Sequence, residues 1–307
     1  MKDGKFGWGI VGCGVIAPWH RGSVEHCPEA QVTAVCDIDE DKGRKFAAES
    51  GEAVAFYKDY HDLVADKNVD ILSVCTPSGA HGEVAIAAAQ AGKHVLCEKP
   101  LEITLQKMDE MIGACRDRGV KLGCIFQRRT YESSKQVRAA IQRGELGKMV
   151  LGDAFLKYYR SQAYYNSAGW RGTWEWDGGG ALMNQGVHGI DLLLWIMGDV
   201  ESVYARTDHL VRDIAVEDTA VALLRYKNGA WGVVEGTTSV NPESRPASSY
   251  TASWAASSCR KATSPNGQPR QATMTLPSQE RSSSPLAKRK ARSPIPPPSA
   301  WAATLPW

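Results

Sequence analysis

Asn184, His188 and Asp191 are spaced i, i+4 and i+7, which places them on one face of a helix expected over residues 180–197. Their neighbours Leu182, Met183, Ile190, Leu192, Leu193, Leu194 and Trp195 are apolar, so a polar stripe among them makes sense where it lines a cleft. Histidine has its ordinary pKa near neutrality, and His188 is the expected acceptor of a proton from a substrate hydroxyl. An isolated histidine is more often a hydrogen-bonded core residue; the triplet argues for the cleft. Lys99 is the other candidate for chemistry. It follows an apolar run at 94–97 and precedes Pro100, which favours an extended or cis geometry that aims the side chain. A lysine held beside a cofactor stabilises a developing alkoxide or, with a lowered pKa, moves a proton. Spacing alone favours an exposed, ion-paired lysine.

A third feature sits near the start. The apolar run 6–11 leads into Gly12, Gly14 and Ala17 at the G-x-G-x-x-A spacing. Gly12 permits a tight turn, Gly14 lets a pyrophosphate approach the backbone, and Ala17 lets a helix pack close to the strand with its positive N-terminus toward the phosphates. Alone, this pattern is weak and fits a plain turn. Asp37 strengthens it. It ends the second β-rich run, 20 residues beyond Ala17, where a carboxylate accepts ribose hydroxyls and repels the extra phosphate of NADP, so NAD is the expected cofactor. The competing role for Asp37 is to cap the helix at 39–50. Val15, Ile16, Thr76, Pro77, His81, Glu98 and Lys99 complete the expected cofactor-binding set.

The elements that must position these groups alternate. Strands are expected at 6–11, 31–36, 53–57, 71–75, 94–97 and 121–126, with helices at 15–26, 39–50, 59–65, 81–91, 104–118 and 131–143; Ser78 is the expected cap of the fourth helix. Such β-α repetition predicts an α/β fold with a parallel, doubly wound sheet. From Lys148 the pattern changes to strands at 148–160, 201–210, 216–226 and 230–240, the last two joined by Asn228-Gly229. This predicts an α+β domain with an open, mainly antiparallel sheet. An aromatic-rich loop at 164–179 carries Trp170 and Arg171, candidates for gripping a sugar-like ligand, or else anchors packed on the core.

No apolar run approaches the roughly 20 residues of a membrane helix, and the eight cysteines form no C-x-x-C pair, so a cytoplasmic protein without a metal site is expected. The chain resembles the Gfo/Idh/MocA oxidoreductases over about residues 6–240. The resemblance rests on G-C-G-V-I-A at 12–17, Glu98-Lys99-Pro100, Trp170-Arg171-Gly172-Thr173, and G-G-G-A-L-M-N-Q-G-V-H-G-I-D at 178–191. It implies a Rossmann domain (1–126), a substrate-binding α/β domain (127–241), and NAD(P)-dependent oxidation or reduction at a sugar or polyol carbon. It also implies catalytic roles for Lys99 and His188, and cofactor binding at Gly12, Gly14, Ala17 and Asp37. Many members carry aspartate where this chain has Asn184. Asn184, Asp191, Arg171 and Trp170 are the expected substrate-binding residues, and a homo-oligomer, dimer or tetramer, is expected through the open sheet.

The last 66 residues differ. Residues 242–307 hold nine Lys and Arg against two Glu, 11 of the 15 prolines, no valine and no phenylalanine. Too little apolar surface remains to offset the entropy of ordering, so a disordered tail is expected after a sheet cut at four strands, with a frameshift near Pro242 as the suggested origin. Two alternatives follow: a nucleotide-binding relative impaired in catalysis, and a basic tail at 288–292 that touches nucleic acid or acidic partners. No nucleic-acid or membrane partner is otherwise expected.

Overall fold

Six parallel strands lie in the order β3-β2-β1-β4-β5-β6, in a computed structural model that describes residues 4–240, 247–253 and 272–276. They are β1 (Phe6–Val11), β2 (Ala30–Cys36), β3 (Ala55–Tyr57), β4 (Ile71–Val74), β5 (His94–Cys97) and β6 (Leu122–Cys124). Helices α1 (Ala17–Glu25), α2 (Glu40–Ser50), α3 (Tyr60–Ala65), α4 (His81–Gln90) and α5 (Leu105–Asp117) connect them. The strand order reverses between β1 and β4, the place beyond whose carboxyl ends open α/β sheets form their ligand crevice. One face of the sheet buries Leu63, Leu72, Val84 and Met111, the other Ile10, Val35 and Phe46.

Local chemistry explains the helix starts. Asp39, Asp59 and Thr104 accept the main-chain N–H groups of Lys42, His61 and Lys107, which would otherwise lack partners in the first turn. Asp39 therefore caps α2, and Asp37 is left for another role. Ser78 does not cap α4, because it lies in a short 3₁₀ turn, Ser78–Ala80, that precedes the helix.

After α6 (Glu132–Gln142) come β7 (Lys148–Lys157), α7 (Gln162–Tyr165), α8 (Val187–Met197), β8 (Val200–Asp208), β9 (Thr219–Tyr226) and β10 (Trp231–Thr237). The expected helix at 180–197 is therefore two pieces, since residues Ala181–Gly186 form a π-helical turn ahead of α8. Leu192, Leu193 and Ile196 of α8 pack with Leu156 of β7 and Tyr226 of β9. The expected hairpin joins β9 to β10, with Gly229 at φ 89°.

The second sheet has six strands rather than four. Its order is β12-β11-β7-β10-β9-β8, in which β11 (Ala247–Ser253) and β12 (Ala272–Leu276) come from the segment expected to be disordered. β11 runs antiparallel to β7, and only the β7–β10 pair among the described strands of this sheet is parallel. The mainly antiparallel expectation holds. The remainder of the expected tail, residues 242–246, 254–271 and 277–307, lies outside the described residues, as does the basic run at 288–292. No helix among the described residues is long and apolar enough to cross a membrane.

Candidate functional site

The crevice beyond β1 and β4 carries the expected cofactor residues. Gly12 has φ 91°, and a Cβ there would stand 2.6 Å from the carbonyl oxygen of Cys75, so side chains are excluded where the loop turns past β4. A Cβ on Gly14 would meet nothing within 4 Å, so space is open above the loop. No side chain caps the start of α1 at Ile16; Pro18 has no N–H, and the Ala17 and Trp19 N–H groups bond the carbonyls of Gly14 and Ile16. Asp37 is buried beside this loop: Oδ2 accepts from the Cys13 N–H at 2.7 Å and pairs with the Lys42 ammonium at 2.8 Å, while Oδ1 accepts from the Asp39 N–H at 2.9 Å. At the end of β4, the Thr76 hydroxyl is buried without a partner, an orphan that a bound ligand satisfies. Open space above the glycine loop and a buried carboxylate at the end of β2 fit NAD.

Two expected cofactor residues prove to be scaffolding. His81 is 1% exposed, its Nδ1 2.8 Å from the Pro100 carbonyl oxygen and its Nε2 3.0 Å from that of Thr76. Burial lowers its pKa, so the ring is neutral and donates to one of the two carbonyls. It ties the cis Lys99–Pro100 segment to the end of β4 and presents no edge to a ligand. Glu98 is also buried: Oε1 pairs with His20 Nε2 at 3.1 Å and Oε2 accepts from the Lys99 N–H at 3.1 Å. Burial pushes its pKa up, but these donors prevail and hold it below the usual value. The other nitrogen of His20 lies 2.9 Å from Ser73 Oγ, which accepts from Trp8 Nε1 at 2.8 Å. A carboxylate only accepts and an indole only donates, so a neutral His20 with its proton on Nε2 satisfies every member of this buried chain.

Lys99 reaches across to the second domain, its Nζ donating to the main-chain carbonyl of Asn184 at 3.2 Å, on the π-helical turn. Burial lowers its pKa, opposed by the charges of Glu98 and Asp177. His188 also faces Lys99. Its Nδ1 is enclosed without a partner, and burial, then the positive charges of Lys99 and Arg128, push its pKa down to about 3. The expectation that His188 titrates near neutrality is thus corrected: the ring is a neutral acceptor throughout the ordinary pH range.

Asp191 departs from expectation. Its carboxylate is 8% exposed and takes a two-bond ion pair from Arg129, Nε to Oδ2 at 2.8 Å and Nη2 to Oδ1. A buried carboxylate requires such a partner, and with both oxygens committed Asp191 fixes α8 rather than substrate. Arg171 lies between the rings of Trp170 and Tyr164, each 4.3 Å from its guanidinium carbon, and donates to the Tyr164 hydroxyl at 2.6 Å. Gln185 donates to that hydroxyl at 3.2 Å.

Sequence reasoning missed two residues. Asp177, 3% exposed, accepts from the Gly172 N–H at 2.7 Å and from the Asn184 amide at 2.8 Å. His20 was detectable, since Ala17, His20 and Val24 form the buried stripe of α1. The only local sign of Asp177 was a carboxylate entering the glycine run 178–180.

Residues 6–126 match the Gfo/Idh/MocA oxidoreductase family, NAD-binding Rossmann fold, and residues 134–252 match the Gfo/Idh/MocA C-terminal domain. The second match passes residue 241 and includes most of β11, so the family pattern does not stop where the sequence reading ended it, and a frameshift near Pro242 has no support. Myo-inositol 2-dehydrogenase of Thermotoga maritima is 33% identical over 242 residues, 75% of this chain and 67% of the relative. The 1,5-anhydro-D-fructose reductase of Ensifer adhaerens is 31% identical over 72% of this chain and 66% of its own length. Among solved structures, the WlbA dehydrogenase from Bordetella pertussis in complex with NADH and UDP-GlcNAcA is similar with a TM-score of 0.77 and 38% identity, over 81% of this chain and 77% of that one. The matched part thus spans about two thirds of the length of the curated relatives.

Replacing Asp37 with Ala is expected to weaken NADH binding about ten- to a hundredfold, the loss of charge-assisted hydrogen bonds. NADPH binding should strengthen as Lys42 is released; nicotinamide fluorescence titrations with both cofactors check this. His188 makes a second prediction. Its folded pKa lies below its unfolded value near 6.5, so the unfolded chain binds the extra proton and stability falls as pH drops from about 6.5 toward 3. The contribution reaches at most about 1.4 kcal/mol per pH unit. Urea melts across this window should show a shallower pH slope for His188→Gln than for the unaltered protein.

Proposed function

The chain belongs to the Gfo/Idh/MocA oxidoreductase family, and from that premise we propose that it is an NAD-dependent dehydrogenase acting on a carbinol carbon of a sugar, polyol or sugar derivative. The carrying observation is that Lys99, just beyond β5, is moored to the main chain of Asn184 on the turn that leads into α8, where His188 is a neutral imidazole with an unpartnered nitrogen and feels the charge of Lys99. NAD, when bound, accepts the hydride from the carbinol carbon. His188 accepts the hydroxyl proton. As hydride departs, the hydroxyl becomes far more acidic and, with Lys99 beside it, gives its proton even to an imidazole of depressed pKa. Lys99 offsets negative charge that gathers on the substrate oxygen, and its own burial-lowered pKa suits it to pass the proton on. Asn184 positions substrate, since an amide takes no proton. Trp170 and Arg171 supply a flat face and a cation near a polyhydroxylated ring.

The relatives named above act on or bind inositol, an anhydrofructose and a nucleotide-linked sugar acid, which supports a polyhydroxylated ring as the substrate class. The alternative of an impaired relative rested on a sheet cut at four strands, and β11 and β12 remove that ground. An absorbance assay of nicotinamide reduction over a panel of inositols, sugars and nucleotide sugar acids tests the proposal. His188→Ala should lower kcat by ~10²-fold or more with NADH affinity nearly unchanged, and an unaltered kcat would sink the assignment.

A homo-oligomer through the second sheet belongs to the same proposal. Along β9, Ala220, Ala222 and Leu224 point into the core, while Val221 and Leu223 are 51% and 46% exposed. Trp231 and Tyr204, opposite Arg225 and Leu223 on the flanking strands, are exposed on the same side, an apolar face suited to a second copy. Sedimentation should give a dimer or larger, and Leu223→Glu should shift it toward monomer without loss of NADH binding.

A further inference from the structure

We infer that Asp177 is a positioning residue of the proposed reaction: its carboxylate fixes the amide of Asn184 and supplies the negative charge that keeps Lys99 an ammonium. The inference rests on the dehydrogenase reading for its role in turnover, but its physical content is a property of the protein alone.

Asp177 stands at the end of the loop that leads into the π-helical turn, and it is almost wholly enclosed. Both oxygens are engaged, Oδ2 by the Gly172 N–H at 2.7 Å and Oδ1 by Asn184 Nδ2 at 2.8 Å. An ionised carboxylate only accepts, so it admits one orientation of the Asn184 amide, with NH₂ toward Asp177 and Oδ1 turned away. The outward oxygen is then a fixed acceptor for a substrate hydroxyl. The same residue 184 anchors Lys99 through its main chain, so side chain and backbone of one position link the carboxylate to the ammonium.

The groups around Lys99 show why this charge decides its state. Facing it are Glu98, Asp177, the Cys124 thiol, Arg128 and His188. Burial pushes the Cys124 thiol up to about 12, which leaves it neutral, and His188 is neutral as well. Arg128 opposes a second positive charge. Glu98 shares its charge with His20 and with the Lys99 N–H. Asp177 is the remaining anion. Burial raises its own pKa, against which the Gly172 N–H, the Asn184 amide, Arg171 and Lys99 favour the ionised form. Loss of this charge leaves an enclosed ammonium facing Arg128 with a single carboxylate to balance it.

The test follows Lys99 directly, by the ¹³Cε resonance of lysine-labelled protein, assigned through its disappearance in Lys99→Arg. In Asp177→Asn the titration midpoint of Lys99 should fall by about one pH unit, the size expected for removal of a nearby opposite charge. In the double variant Asp177→Asn, Asn184→Asp, the carboxylate moves to the other end of the same hydrogen bond, and the midpoint should return to at least its original value. A midpoint unmoved by Asp177→Asn overturns the inference, as does a double variant with a midpoint below that of the unaltered protein. The second comparison decides the matter even if Asp177→Asn alone fails to fold. In turnover, Asp177→Asn should lower kcat/KM about tenfold and bring the alkaline fall in rate to lower pH, a displacement of the profile that a merely structural role would not produce. If the unaltered protein reduces NAD with no substrate of the panel, the dehydrogenase reading fails while the Lys99 titration still judges Asp177.

Discussion

An ammonium removed from water must be compensated by its surroundings, and much of this protein is arranged to satisfy that condition at Lys99. The idealised cost of desolvating such an ion is of order 20 kcal/mol, and several kcal/mol persist after relaxation. Compensation comes from two domains at once. The Rossmann side provides Glu98, tied back through His20, Ser73 and Trp8. The second domain provides a main-chain carbonyl and, one hydrogen bond further, Asp177. Neither side meets the condition alone, so the site exists where the two meet.

The folding of each side follows from that demand. Strand order brings the ends of β1, β4 and β5 to one edge, which sets the glycine loop, Thr76 and Lys99 around a single crevice. His81 clamps two of those ends together from beneath. On the other side, Glu217 accepts the N–H groups of Gly180 and Leu182, and Arg129 holds Asp191, so the turn that faces Lys99 is pinned before and after. Close approach also matters between the two sides. A Cβ on Gly79 would stand 2.3 Å from the Glu175 carbonyl oxygen, and the Gly79 N–H instead bonds the Trp176 carbonyl at 2.9 Å.

How legible this was in the sequence depended on the range of the interactions. The alternating strands and helices, the glycine turn, Asp37 and the 228–229 hairpin are set by local spacing, and they stand where periodicity put them. The helix at 180–197 was visible, but its π turn was not, because the same apolar pattern serves an α-helix. Asp191 was misread for a related reason: spacing shows which residues share a face, not that Arg129, 62 positions away, claims one of them. His188 kept its place yet lost its expected titration, since burial and the charge of Lys99 belong to the folded state. The tail was judged by composition, which cannot register that a serine-rich stretch such as Ala247–Ser253 finds a ready partner in β7.

The π turn carries a consequence for how this site can change over time. Lys99 is moored to the backbone of residue 184, so the mooring is indifferent to which side chain stands there. A change of side chain at that position need not move the ammonium, provided Asp177 changes with it wherever their hydrogen bond is lost. A scaffold of this kind separates the part of the site that must persist from the part that can drift, and new substrates become reachable without rebuilding the machinery that serves them.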